Sequence, residues 1–276
     1  MLRIDAHQHF WVFEPVRDAW ITNDMAAIRR DFLPADLRPL LQQHGLDGCV
    51  AVQASQAEAE TDFLLSLAGQ HDFIRGVVGW TDLQAENVAE RLGHYAHSTK
   101  LKGFRHVLQS EADRALLLTP AFRRGIGVLT RHSFTFDLLI LPDQLPYAAE
   151  LAAAFPDQPF VLDHLAKPFI KAGTLEPWRQ ELGKLAAHEN VFCKVSGLVT
   201  EADWAVWQPG DFRPYLDAAF EAFGPRRLLF GSDWPVCTVA GDYGQVHALV
   251  ADYLSSFSAA EQARFWGGNA VDFYNL

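Results

Sequence analysis

Leu2-Arg3-Ile4-Asp5-Ala6-His7-Gln8-His9-Phe10 is a run of strand length that ends in two histidines separated by one residue. Side chains alternate faces along a strand, so positions i and i+2 project the same way. His7 and His9 therefore offer two imidazoles to one point in space, as a divalent metal requires of its first two ligands. The end of this strand separates two α/β architectures. An open doubly wound sheet usually carries a glycine-rich turn after its first strand, and here histidines stand in that place. The alternative is a closed barrel, in which functional groups gather at the C-terminal ends of the strands.

Outward from that stretch, the same alternation recurs along the chain. Further strands are expected at Cys49–Ala54, Phe73–Trp80, Leu101–Val107, Phe134–Ile140, Phe160–Leu165, Val191–Ser196 and Leu228–Asp233. Several are almost continuously apolar, as strands of a parallel sheet buried on both faces are. Helical patterns lie between them at Pro34–Gln43, Ala57–Gln70, Leu83–His97, Thr119–Thr130, Leu145–Phe155, Leu175–His188, Asp211–Phe223 and Tyr243–Phe257. Eight strands alternating with helices predict a (β/α)8 TIM barrel. No linker or repeat divides the chain, so residues 1–276 are expected to form one domain.

Composition narrows the function. The 276 residues carry a formal charge of −11 with scattered Lys and Arg, which argues against nucleic acid and anionic membrane as partners. No apolar stretch reaches transmembrane length and no signal peptide is visible. Cys49, Cys193 and Cys237 are odd in number and far apart, as free thiols of a reducing compartment are, so a cytoplasmic location is expected. A homo-oligomer is left open.

Polar residues collect at the expected strand ends: His7 and His9, Gln53, Arg105 and His106, Asp163 and His164, and Asp233. Together they define a candidate site at one mouth of the barrel. Asp233 ends the apolar run Leu228-Leu229-Phe230 and must be solvated, paired or ligated. It reads as a general base and metal ligand, or else as a turn cap before Pro235. His164 reads as a metal ligand or an electrophile, or else as a core histidine bonded to backbone. Strand alternation lets only one of Asp163 and His164 face inward, and His164 is the expected one. Arg105 suits a clamp on a substrate oxygen, or an ion pair with a neighbouring acid. His106, Gln53 and Trp11 are expected to line the substrate pocket, with Trp20, Trp80, Trp204 and Trp207 as further aromatic walls. Lys194 is expected as a buried partner of a carboxylate. His44, His71, His94, His97, His188 and His247 fall in helical patterns and are expected at the surface.

With these residues in place, the chain resembles the amidohydrolase superfamily. The likeness rests on the first-strand His-x-His, the sixth-strand His164, Gly231-Ser232-Asp233-Trp234-Pro235, and the ending Trp266-Gly267-Gly268-Asn269-Ala270-Val271-Asp272-Phe273-Tyr274. Gly103-Phe104-Arg105-His106, Leu162-Asp163-His164-Leu165-Ala166-Lys167-Pro168 and Lys194-Val195-Ser196-Gly197-Leu198 are similar to the branch of sugar lactonases that includes the L-fucono- and L-rhamnonolactonases. Binuclear members of the superfamily place a metal-bridging lysine on strand four and a histidine on strand five. Here strand four ends in Arg105-His106 and strand five carries Asp137. The resemblance thus implies at most one divalent metal, zinc first among candidates, on His7, His9 and Asp233. Some members of the branch need none, and then His7 and His9 would donate hydrogen bonds to the lactone carbonyl.

The implied reaction is hydrolysis of an aldonolactone, such as L-fucono-1,5-lactone, to the free acid, with a small sugar lactone as partner and Asp233 as base. A metal-dependent decarboxylase on the same barrel is the alternative. A non-catalytic barrel with a relict site is the third reading, since fold does not guarantee function.

Overall fold

All eight expected strands are present in a computed structural model that describes residues Met1–Leu276. They are β1 (Ile4–Gln8), β2 (Gly48–Val52), β3 (Ile74–Gly79), β4 (Leu101–His106), β5 (Thr135–Leu138), β6 (Phe160–Leu162), β7 (Val191–Val195) and β8 (Leu228–Phe230). Neighbours in sequence pair in parallel from β1 to β8, as βαβ crossovers require. The seam between β8 and β1 is joined at one end, where the Asp233 amide donates to His7 O (2.8 Å) and the His9 amide to Trp234 O (2.7 Å). The result is the (β/α)8 barrel, and the open doubly wound sheet is excluded.

Helices α1 (Pro34–Gln43), α2 (Glu58–Gln70), α3 (Val88–Tyr95), α4 (Pro120–Arg131), α5 (Leu145–Ala154), α6 (Trp178–Ala186), α7 (Pro209–Phe223) and α8 (Tyr243–Leu254) succeed the strands in order. Their starts are chemically marked. Pro120 opens α4 behind the Thr119 cap, and Asp242 and Gln245 exchange hydrogen bonds at the start of α8 in a capping box. No helix is long and apolar enough to cross a membrane. Two short helices, α9 (Ala259–Ala263) and α10 (Asn269–Tyr274), close the chain. Asn269 ties α10 to the barrel by donating to Pro225 O and Leu228 O (2.8 and 2.7 Å).

The core has two parts. The larger lies between strands and helices; the smaller gathers Ile4, Ala6, Val50, Val52, Val78, Val161 and Leu229 with Ala270, Phe273 and Tyr274 of α10. That smaller group fills the lower barrel, and α10 plugs it from below. The pairing of β1 with β2 shifts register between Asp5 and Gln8. Ala6 packs inside with the apolar group, yet His7 also turns inward, while Asp5 faces α8 and accepts from Tyr243 Oη (3.0 Å). All three cysteines are buried and unpaired.

Candidate active site

The seam bonds at His7, His9 and Asp233 place one carboxylate beside the first-strand histidines. Asp233 Oδ1 lies 3.4 Å from His9 Nε2, 3.9 Å from His7 Nε2 and 3.9 Å from His164 Nε2. The two first-strand Nε2 atoms are 3.2 Å apart. All four side chains are almost fully buried. His7, His164 and Asp233 each offer one ligand atom, all within 4.8 Å of one another.

The opposite ring nitrogens are held from behind. His9 Nδ1–H donates to Val52 O (2.7 Å), which leaves its Nε2 with a lone pair. His7 Nδ1 sits 3.2 Å from Asp163 Oδ1, which favours a proton on Nδ1 and a lone pair on Nε2. Arg105 Nη1 approaches that Nε2 at 3.3 Å as a donor. His164 Nδ1 lies 2.8 Å from Ser196 Oγ. Fixing one nitrogen so that the other points at a common centre is what partners behind metal-binding histidines do.

Ionisation agrees with this. Burial pushes His7 well below its ordinary value and His164 down to about 4, so both rings are neutral at neutral pH. Burial alone would raise Asp233, but the surrounding rings of His164, His9 and His7 outweigh it and hold the carboxyl well below the ordinary range. A carboxylate and neutral imidazoles are the forms that bind metal. The wider charge pattern points the same way. Inside the barrel Asp137, Asp163 and Asp233 are buried against only Lys194 and Arg105. The donor set therefore fits one divalent cation, and no second group of ligands accompanies it.

Below the histidines the charges close on one another. Lys194 Nζ contacts Asp137 Oδ2 (2.5 Å), Asp163 Oδ1 (3.0 Å) and His7 Nδ1 (3.2 Å). Tyr274, from α10, donates to Asp137 Oδ2 (2.9 Å). Lys194 is thus the buried carboxylate partner expected of it. Arg105 pairs with Asp163 (3.1 Å) and donates to the backbone and side-chain oxygens of Gln53. Arg105 has the ion pair with a neighbouring acid that one of its two readings expects, and it also lines the main cavity.

The structure corrects one expectation about Asp163 and His164. Both face inward. Asp163 continues the alternation of Val161 and reaches Lys194, Arg105 and His7. His164 then takes φ 53°, which turns it to the same side, and β6 stops at Leu162 rather than at Leu165. Leu165, Ala166 and Lys167 are left-handed as well, with φ between 51° and 58°. For L-residues this costs roughly 1–2 kcal/mol apiece. The turn is held by buried Leu165 and Ala166 and by a 2.7 Å bond from Trp178 Nε1 to Leu165 O. Gly197 makes room for it: a Cβ there would stand 2.5 Å from His164 Nδ1.

A cavity of about 360 Å³ opens above this centre. His9, His164, Asp233, Arg105, Lys167 and Trp20 are among its walls, with the polar groups of Ser55, Gln56, Gln109 and Ser110. Three residues expected in the pocket lie elsewhere. His106 alternates outward from Arg105, packs on Phe122 and pairs with Glu111 (2.8 Å). Gln53 stands behind Arg105 and holds its guanidinium. Trp11 donates to Arg30 O (2.9 Å) and lines a smaller side cavity of about 220 Å³. Of the five candidate tryptophans only Trp20 borders the main cavity. His44, His71, His188 and His247 are half-buried rather than surface residues. His247 stacks on Trp266, with centroids 4.5 Å apart.

Sequence reasoning missed Lys167, Gln109 and Asp5. Lys167 sits three residues beyond His164, just past the end of the expected strand Phe160–Leu165. Gln109 Oε1 is buried without a partner. Asp5 accepts from the Ser232 amide (2.9 Å) and the His7 amide (3.2 Å), so it stitches the two site-bearing strand ends together.

The amidohydrolase family model matches residues 4–276. The chain is 45% identical to an L-fucono-1,5-lactonase of Burkholderia multivorans, across 100% of this chain and 96% of that one. It is 39% identical to an L-fucono-1,5-lactonase of Burkholderia ambifaria, across 99% and 96%. A crystal structure of an amidohydrolase from Burkholderia multivorans with bound zinc superposes with a TM-score of 0.96 at 45% identity, covering both chains completely.

Proposed function

The chain belongs to the amidohydrolase family, and from that premise we propose that it is a hydrolase that opens a sugar-acid lactone, L-fucono-1,5-lactone foremost, to the free acid. One observation of the site carries this reading. A single ionised carboxylate, Asp233, faces the neutral imidazoles of His7 and His164 and a guanidinium at the bottom of a cavity sized for one sugar ring. Ester hydrolysis needs a proton acceptor for water and donors for the oxyanion, and both converge there. The L-fucono-1,5-lactonases at 45% and 39% identity support the substrate class.

Asp233 takes a proton from the attacking water as that water adds to the lactone carbonyl. Arg105 Nη1, already directed at His7 Nε2, donates to the oxygen that becomes negative. His164 lies on the same wall; with no cation on its Nε2, Nε2–H donates to that oxygen when Ser196 Oγ–H donates to Nδ1. One such donor contributes about 3–4 kcal/mol in other hydrolases. The tetrahedral centre then expels the ring oxygen, and Asp233 returns the proton to it. Trp20 and the polar walls orient the ring. His7, His164 and Asp233 would hold a divalent cation, with His9 beside them, and zinc is the ion we propose. When bound, it would supply Lewis acidity toward the carbonyl oxygen.

A pH-indicator screen of aldonolactones, run with and without chelator, tests the reaction and the metal together. The expected outcome is acid release from L-fucono-1,5-lactone and close stereochemical relatives. Silence across the whole panel in both arms would overturn the assignment. Loss in the chelator arm alone would make the metal essential.

A further inference from the structure

The left-handed turn after β6 is longer than His164 requires. Turning His164 inward needs only its own positive φ, yet Leu165, Ala166 and Lys167 continue in the same region. The turn closes with the Lys167 amide on His164 O (2.7 Å). In such a tight turn, side chains three apart stand on one side. His164 and Lys167 accordingly line the same cavity. Pro168 comes next and disfavours helical geometry in the residue before it, so this backbone is imposed by the surroundings. Conformations imposed in this way cluster where a side chain has to be aimed.

Lys167 is also steadied at its tip. Its Nζ lies 3.1 Å from Glu201 Oε1, in the loop after β7, and both side chains are about four-fifths buried. One N–H of the ammonium is thereby engaged, leaving two to donate into the cavity. Of the other cations on these walls, Arg105 is paired with Asp163 and Gln53 and serves the carbonyl oxygen, and Arg17 is paired with Asp18 at 2.7 Å.

We propose that Lys167 determines specificity by donating hydrogen bonds to hydroxyl groups of the sugar ring, with Glu201 positioning its Nζ. This rests on the lactone-hydrolase reading and extends it from the ester to the polyol that carries it.

The test compares wild type with Lys167→Met on L-fucono-1,5-lactone and on δ-valerolactone, which has the ring ester but no hydroxyl groups. The expected result is a fall of about tenfold or more in kcat/KM on the sugar lactone, mostly through KM, with less than threefold change on δ-valerolactone. Lys167→Arg should restore part of the loss, and Glu201→Gln should raise KM several-fold. An equal fall on both lactones, or none on either, overturns the proposal. Calorimetric binding of the open-chain acids decides independently of turnover. Lys167→Met should weaken L-fuconate about tenfold and leave 5-hydroxypentanoate unchanged. Equal weakening of both acids, or no L-fuconate binding to wild type, would overturn it. If no lactone is turned over, the hydrolase reading fails while the binding comparison still decides the role of Lys167.

Discussion

The two ends of the barrel interior bury similar chemistry and use it differently. At the floor, Lys194 and Tyr274 meet Asp137 and Asp163 within 3.0 Å, and only Asp137 Oδ1 among the Asp137 oxygens is left without a hydrogen-bond partner. At the mouth, lone pairs of His7, His9 and Asp233 face each other across 3.2 to 3.9 Å, with His164 beside them and only the Arg105 guanidinium reaching in. Buried charge by itself therefore does not mark function. The mark is buried donor or acceptor capacity left open toward a cavity. The floor is closed and acts on stability; the mouth is open and acts on substrate.

The largest effect that separates the two ends is expected from Asp233→Asn. It removes the proton acceptor and keeps the volume, so kcat should fall about 10³-fold or more while the protein stays folded. Activity within tenfold of wild type would mean that the mouth carboxylate is not the base. Lys194→Met is the converse. It leaves Asp137 and Asp163 buried without their shared cation, which should cost about 3–5 kcal/mol of stability in urea unfolding. A folded, fully stable Lys194→Met protein would show that the floor charges do not depend on one another. Tyr274→Phe removes one hydrogen bond to a carboxylate that keeps Lys194. About 1.5–3 kcal/mol of stability should go, with kcat within twofold of wild type. A large loss of turnover there would erase the distinction between floor and mouth.

How far the sequence reveals these two ends depends on alternation. All eight strands are legible because parallel strands buried on both faces leave continuous apolar runs. The inward direction of Arg105 and Lys194 comes from the same rule. It fails where the backbone leaves the strand region. At His164 a positive φ turns two consecutive residues inward, and nothing in Leu162-Asp163-His164-Leu165 announces it, because none of these residues is glycine. Lys167 and Asp163 are obscured for that reason. His106 shows the rule used too loosely, since a residue next to an inward arginine belongs on the outer face. Trp11 and Trp20 share one long loop, and no periodicity tells which of them reaches the cavity. Asp233 is legible because an acid ending an apolar strand needs a partner, and the first-strand histidines supply candidates.

A half-buried histidine outside both ends provides the smallest test. His247 packs between Phe230 and Trp266, and its Nε2 is buried without a partner. Unlike the mouth histidines it has no carboxylate beside it. Burial lowers its pKa to about 4 from an ordinary 6.5, with His44 and Arg3 adding positive neighbours. The folded state thus binds the proton less readily than the unfolded chain. The stability His247 contributes is fully present above about pH 6.5 and is lost as pH falls through the window between 6.5 and 4. Replacing it by phenylalanine should flatten that part of the melting-temperature profile. His7 and His164 titrate identically in both proteins, so the difference between the profiles isolates His247. Superimposable acid limbs would mean that His247 is solvated enough to charge freely when folded. A buried ring nitrogen without a partner would then weigh less than the mouth–floor comparison requires.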